Sequence, residues 1–256
     1  MCLPDRDVRV YPKMRSMEEE REIFKKEDKK GIGLNPSEEN LLPLTSYLLP
    51  PTIGLTKESF YNSEVDQIIC WLNNGIDIIH LRKPNATEEE IKNLLEVIPT
   101  HFHSRITLHQ HYTLSEKYNV GGIHFKESQR KELNEATLKV WKKKGLRLSS
   151  SVHQMDEIPE IPTLFNYLFL SPVFDSTSKI GYNSNKEILK RMKKERFPHH
   201  QIIALGGITP KTLSELDGSS FTGAAILGYL WNASSEEIKN KAFELQSSWK
   251  TLDLMP

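Results

Sequence analysis

Two stretches of this chain carry the residue types that hold a phosphate. Leu170-Ser-Pro-Val-Phe-Asp-Ser-Thr-Ser-Lys179 and Ala204-Leu-Gly-Gly-Ile208 each follow a short apolar run and place hydroxyls, a lysine or glycines where a strand should end. A phosphate needs several N–H and O–H donors converging on one point, and glycine lets the backbone approach where a Cβ would obstruct it. Lys179 adds positive charge. The second constellation is histidine: five of the nine, namely His80, His109, His111, His124 and His153, fall at four successive strand ends. Imidazole, with an ordinary pKa of about 6.5, suits proton transfer at neutral pH, and in its neutral form it also ligates zinc. A transition-metal site built from His80, His109 and either His111 or His124 is therefore one reading. Strand residues alternate in direction, so spacing alone does not bring these rings together, and no compact ligand motif is present.

These groups need a scaffold. From about residue 52 the chain alternates short apolar runs, near 52–56, 76–81, 105–109, 120–124, 146–151, 166–170, 201–205 and 222–227, with stretches of helical apolar spacing at 62–74, 87–97, 112–118, 133–144, 184–194, 209–216 and 235–248. Only the segment after the fifth strand, around Met155 to Ile158, is too short for a helix. Eight strands alternating with helices predict parallel connections and a closed (β/α)8 TIM barrel, a fold of about 250 residues in which functional groups cluster at the C-terminal ends of the strands. The first strand, with only Ile53 and Leu55 as apolar side chains, is the weak one, and without it a doubly wound open sheet is the alternative.

Residues 1–50 read differently, as a charged extension and a Pro-rich linker ahead of a barrel over 51–256. Runs such as Glu18-Glu-Glu-Arg-Glu22 and Lys25-Lys-Glu-Asp-Lys-Lys30 leave too few apolar residues for a core face, so a disordered leader is expected there. The i,i+4 pair Glu22 and Lys26 permits a solvated helix. Lys+Arg and Asp+Glu are equal at 34 each, which gives no net attraction to nucleic acid or an anionic membrane and favours a small-molecule partner. Cys2 and Cys70 make neither a disulfide framework nor a metal spacing. No apolar stretch approaches a membrane span and no signal-peptide pattern follows Met1, so a cytoplasmic location is expected.

The strand endings, in order, are His80-Leu-Arg-Lys83, His109-Gln-His111, Gly122-Ile-His124, Ser151-Val-His153, Ser171 through Lys179, Gly206-Gly207 and Leu227-Gly228. Over about residues 52–232 this series resembles thiamine phosphate synthase and the related thiazole tautomerase branch of the same superfamily. The resemblance implies a (β/α)8 barrel that joins hydroxymethylpyrimidine diphosphate to thiazole phosphate, releasing pyrophosphate with the help of Mg2+. It implies that Ser176 and Ser178 stand where two threonines bind the thiazole phosphate, and that Lys179 matches a diphosphate-binding lysine. Gly207, Leu227 and Gly228 fall on backbone contacts to the thiazole phosphate, Ser151 on a serine near the diphosphate, and Arg82 on the arginine of the second-strand motif.

The metal half of the pattern departs. The Asn-Asp pair of the family falls on His109 and Gln110, and its second aspartate on Gln129, so both magnesium carboxylates are replaced. Glu127, two residues away, is the nearest substitute ligand. The family glutamine becomes His80 and the following lysine Pro84, with Lys83 one position off as a replacement charge. The expected reaction is therefore that of a synthase, with Arg82, Lys83 and Lys179 offsetting the charge of the departing diphosphate. One alternative is a thiazole phosphate tautomerase using His80 or His109, since Pro172 stands where that branch has its histidine. Another is a non-catalytic barrel binding thiamine phosphate or a precursor. Blander expectations are a solvated helix end at Lys142-Lys-Lys144, packing of a helix onto the barrel by Trp231, and an Asn232-Ala-Ser234 sequon without meaning in a chain lacking a secretory signal.

Overall fold

Short Ile, Leu, Phe and Ala runs bounded by turn residues become strands here because helices cover one side and the barrel interior buries the other. The computed structural model describes residues 52–175, 186–231 and 235–253. Its strands are β1 (Thr52–Leu55), β2 (Ile78–Leu81), β3 (Ile106–Leu108), β4 (Gly122–Phe125), β5 (Arg147–Val152), β6 (Tyr167–Leu170), β7 (Gln201–Leu205) and β8 (Gly223–Ile226). Each pairs in parallel with its sequence neighbour, and β1 closes on β8 through Thr52–Ala224, Ile53–Ala225 and Gly54–Ile226. The barrel is closed, so the open-sheet alternative is excluded, and the weak first strand is fully buried.

The helices are α1 (Glu64–Asn73), α2 (Glu88–Val97), α3 (Leu114–Tyr118), α4 (Glu127–Glu132), α5 (Glu135–Lys143), α6 (Lys186–Met192), α7 (Pro210–Ser214), α8 (Gly228–Trp231) and α9 (Ser235–Asp253). Local chemistry sets their starts. Thr87 caps α2 by accepting from Glu90 N–H at 3.3 Å while the Glu90 carboxylate takes Thr87 N–H at 2.8 Å, and Ile91, Leu94 and Leu95 supply the buried face. Asn134 caps α5 by accepting from Thr137 N–H at 2.9 Å. The connection after β5 is a 3-10 turn, Met155–Glu160, with Pro159 inside it. Three pieces lack a signal in apolar spacing: α4, which buries no side chain, the one-turn α8, and a 3-10 turn at Thr100–Arg105. That last turn is held by His103, whose ring nitrogens meet the carbonyls of Tyr118, Leu95 and Ile98 at 2.7, 3.0 and 2.9 Å.

Two apolar clusters result. A large one lies between strands and helices, and a smaller one of Ile53, Leu55, Ile78, Tyr167, Phe169, Ile203 and Ala225 fills part of the barrel interior. Trp231 belongs to the larger cluster. Buried, it packs at 4.1 Å from the Trp71 ring and 5.2 Å from the Tyr61 ring, and its indole N–H donates to the Leu55 carbonyl. It is a packing residue, as expected. Lys142 reaches Asn166 Oδ1 at 2.9 Å and Lys144 pairs with Glu116, ordinary contacts for a solvated helix end. Among the described residues no helix is long and apolar enough to cross a membrane. The charged leader and Asn232-Ala-Ser234 lie outside the described residues.

Candidate active site at the barrel mouth

The barrel interior divides by polarity. β1, β6, β7 and β8, with Ile78 at the start of β2, supply the apolar side just described, whereas β2 through β5 and the residue after β3 contribute His80, Thr107, His109, His124 and Ser149, all buried. Pairing of His80 with Thr107 and of His124 with Ser149 sets which of these side chains meet. Above this layer, at the C-terminal ends of the strands, opens a cavity of about 490 Å³. That volume is within the range of small-molecule sites.

One part of the cavity wall is cationic, with Arg82 after β2 and Lys126 after β4. Arg82 is braced by a 2.6 Å ion pair with Glu58, also in the wall, and its backbone N–H donates to Thr56 Oγ1 at 2.8 Å. Another part is backbone: Gly206 and Gly207 after β7, then Leu227 and Gly228 after β8. Gly207 has φ +64°, and a Cβ there would run into Phe174 and the Asp175 carbonyl. The turn is pinned by Phe174 N–H donating to the Gly206 carbonyl at 3.1 Å and by Thr212 Oγ1 donating to the Gly207 carbonyl at 2.8 Å. Glycine is required by both the backbone angle and the close approach.

His109, His124, Ser151 and His153 complete the polar wall. His124 sits between two hydroxyls, with Nδ1 2.9 Å from Ser149 Oγ and Nε2 2.9 Å from Ser151 Oγ. His80 lies deeper, 0 % exposed and outside the cavity wall, with Nδ1 2.9 Å from His109 Nε2 and Nε2 2.7 Å from the Tyr167 hydroxyl. Burial pushes all three imidazoles below their usual pKa. His124 falls to about 3, helped by the Arg82 charge, while His80 and His109 fall well below the normal range, helped by neighbouring histidines and by Arg147 or Arg82. All three are neutral at pH 7.

Several sequence expectations change here. Lys83 does not reach the cavity: it is 0 % exposed, with Nζ 2.5 Å from Glu64 Oε1, 2.8 Å from the Ser59 carbonyl and 4.6 Å from the Phe60 ring. The one-residue shift that made it a substitute for the family lysine turns its side chain under α1 instead. The expected role of Lys83 in binding substrate is thereby corrected to a structural one. His80 touches His109 and Tyr167 and not the cavity, so the expectation of a direct catalytic contact by His80 is corrected. Arg82, His109, Ser151, Gly207, Leu227 and Gly228 share one cavity. Ser176, Ser178 and Lys179 lie outside the described residues. His111 turns away from the interior, its Nε2 meeting the Ala86 carbonyl at 2.8 Å. Lys126 was not singled out by the sequence reading, and its position right after His124-Phe125 at a strand end was the available signal.

Magnesium does not suit this donor set. The Gln110 amide is turned back to donate to the Lys83 carbonyl, and Gln129 Oε1 is occupied by Lys126 N–H at 2.9 Å and the Tyr112 hydroxyl at 3.4 Å. Glu127 is in the cavity wall, but its Oε1 is paired with Lys131 at 2.6 Å, leaving Oε2 as the one unpartnered oxygen. The other carboxylate in the wall, Glu58, is paired with Arg82, and carboxylates already neutralised by cationic side chains are poor ligands for an ion that demands near-octahedral oxygen coordination. The expectation that Glu127 holds magnesium is accordingly not supported by its surroundings.

A closed parallel barrel whose cavity, lined by charged side chains and glycine backbone, opens at the C-terminal ends of its strands defines a member of the (β/α)8 class. The family can be stated more closely. The model of the thiamine monophosphate synthase family matches residues 55–229, and the chain belongs to that family. A thiamine-phosphate synthase of Flavobacterium johnsoniae is 27 % identical over 180 residues, spanning 65 % of this chain and 82 % of the relative. Among solved structures, the thiamine phosphate pyrophosphorylase of Bacteroides thetaiotaomicron aligns with a TM-score of 0.61 at 26 % identity, over 77 % of this chain and 96 % of the other. That of Pyrococcus furiosus gives 0.62 at 16 % identity, over 79 % and 96 %, a likeness of fold.

Proposed function

We propose that this chain joins hydroxymethylpyrimidine diphosphate to thiazole phosphate. The thiazole nitrogen forms a bond to the pyrimidine methylene carbon as the C–O bond to the diphosphate breaks, and pyrophosphate leaves. The observation that carries this reading is the sharing of one cavity by Arg82 and Lys126 on one part of the wall and the Gly206-Gly207 turn on another. The demand of the reaction is charge stabilisation. Arg82 and Lys126 offset the charge growing on the leaving diphosphate, and one preorganised hydrogen-bond donor to such developing charge is typically worth about 10²–10³ in rate. Ser151 offers a hydroxyl to the same group, and Lys179, by the family resemblance, a third cation. Backbone at Gly207 and Gly228 receives the thiazole phosphate, with Ser176 and Ser178 assigned to it by the same resemblance. Purified protein given both substrates, with and without added Mg2+, should release thiamine phosphate and pyrophosphate in equal amounts. Binding of thiamine phosphate without any product would leave a non-catalytic binder and sink the synthase reading.

One observation favours a second reaction. His109 is in the cavity wall and is hydrogen-bonded through His80 to Tyr167, a chain of groups that can relay a proton, with the ring itself a weak base because burial holds its pKa low. A thiazole phosphate tautomerase would use it. Solvent hydrogen exchange into thiazole phosphate presented alone separates this reaction from the synthase.

A further inference from the structure

Three imidazoles converge at the floor of the cavity. One nitrogen from each of His80, His109 and His124 lies within 4.8 Å of the other two, and the three rings are 0 %, 7 % and 1 % exposed. From these positions we propose that His80, His109 and His124 form a binding site for a transition-metal dication of the zinc class, with its fourth position open to the cavity.

The geometry is close to what such an ion needs. Tetrahedral zinc with Zn–N bonds of 2.0–2.1 Å sets its ligand nitrogens about 3.3 Å apart. His80 Nδ1 and His109 Nε2 are 2.9 Å apart, and the widest separation in the trio is under 4.8 Å, so ring movements of about an ångström suffice. The His109 and His124 rings, stacked at 4.3 Å, splay slightly to do so. Proton counting agrees. If the His80 Nε2–H donates to the Tyr167 oxygen, Nδ1 carries a lone pair aimed at His109 Nε2; with the His109 proton on Nε2 the two rings share a hydrogen bond, and with it on Nδ1 two lone pairs face each other and can hold a cation between them. Metal binding to imidazoles that are already neutral needs only this tautomer.

For two of the three rings, His80 and His124, the outer contacts are those of a ligating histidine, whose second nitrogen is normally fixed by a hydrogen bond. Tyr167 holds His80 in this way, and Ser149 holds His124 through Nδ1, leaving Nε2, now bonded to Ser151 at the cavity, to turn to the metal. Imidazole donors select zinc, nickel or copper over magnesium. Three neutral ligands leave the ion's double charge uncompensated, so the open position takes an anion, either hydroxide or a phosphate oxygen of a ligand in the cavity. His109 and His124 lie in the cavity wall, which gives that anion access.

The test is metal uptake, and it is independent of any turnover. Untagged full-length protein, stripped with chelator and then dialysed against limiting Zn2+, is expected to retain one equivalent per chain by elemental analysis. Co2+ in its place should give the intense visible bands of a four- or five-coordinate ion. His109→Ala and His124→Asn should each lower metal affinity at least 100-fold, while His111→Ala, at a ring outside the cluster, should leave it unchanged. Should a variant fail to fold, X-ray absorption on the zinc-loaded wild type reads the ligands directly, with three imidazole nitrogens expected in the inner shell. No retained equivalent, octahedral Co2+ spectra, or uptake unaffected by both substitutions in folded protein would overturn the proposal and leave the trio as a hydrogen-bonded proton relay.

Discussion

Replacing Lys83 with methionine separates a structural lysine from a substrate-binding one. In the folded protein its ammonium is fully buried, 2.5 Å from a Glu64 carboxylate that is itself 3 % exposed. Burial raises the Glu64 pKa and lowers that of Lys83, and the attraction between them offsets only part of each shift. Lys83→Met removes the hydrogen-bonded partner of Glu64 and leaves only the more distant Lys57 charge, so this buried carboxyl is expected to fold in its neutral form. Protonating a carboxyl of ordinary pKa about 4.3 at pH 7 costs roughly 3.7 kcal/mol at 1.36 kcal/mol per pH unit. That value falls inside the 3–5 kcal/mol typical of breaking a buried pair. A barrel of this size should then melt about 6–20 °C lower, as followed by calorimetry.

The sign with pH follows from the same carboxyl. In the variant the folded-state pKa of Glu64 lies above its unfolded value, so the penalty is fully present at neutral pH and shrinks as pH falls towards about 4.3, by up to 1.4 kcal/mol per unit. The double variant Glu64→Gln, Lys83→Met should recover most of the loss, because no buried charge remains. An unchanged melting temperature in Lys83→Met, together with a raised KM for the pyrimidine diphosphate, would refute this account and return Lys83 to the substrate.

Other outcomes are expected from the same structure. Gly207→Ala places a methyl against Phe174 and the Asp175 carbonyl at a positive φ, and should cost about 1–3 kcal/mol in stability and raise KM for the thiazole phosphate more than for the pyrimidine diphosphate. Lys126→Met should lower kcat about 100-fold with little change in melting temperature, because this side chain serves the cavity and not the core. In metal-free protein the folded-state pKa values of His80, His109 and His124 lie below the unfolded value of about 6.5, so their contribution to stability is complete above that pH. It is lost as pH falls, by up to about 1.4 kcal/mol per unit for each ring. Denaturant titrations at several pH values should show this slope reduced by one proton in His124→Asn. Trp231→Ala should cost about 3–5 kcal/mol, measured by denaturant unfolding, since it removes the ring between Trp71 and Tyr61.

Local signals account for what could be read without coordinates. Strand and helix periodicity, together with glycines and prolines at the junctions, located all eight strands and the helix that follows most of them, because these preferences act over a few residues. They failed at α4, where the helix start depends on the Gln129 side chain accepting from Lys126 N–H and no apolar stripe exists to announce it. The Gly206-Gly207 turn was legible for the same local reason, since positive φ is written into the residue type.

The sequence by itself determined the alternation of eight strands with helices, with the closed barrel expected and an open sheet the alternative, the placing of polar residues at the strand ends, and the replacement of the family's two magnesium carboxylates. Only the tertiary structure decided what the neighbours of those residues are. Adjacent residues in a strand point to opposite sides, and the register of parallel pairs sets which distant side chains meet. Arg82 therefore enters the cavity while Lys83 is buried against Glu64, Gln110 turns to a backbone carbonyl, and His80, His109 and His124, far apart in the chain, come within 4.8 Å of one another.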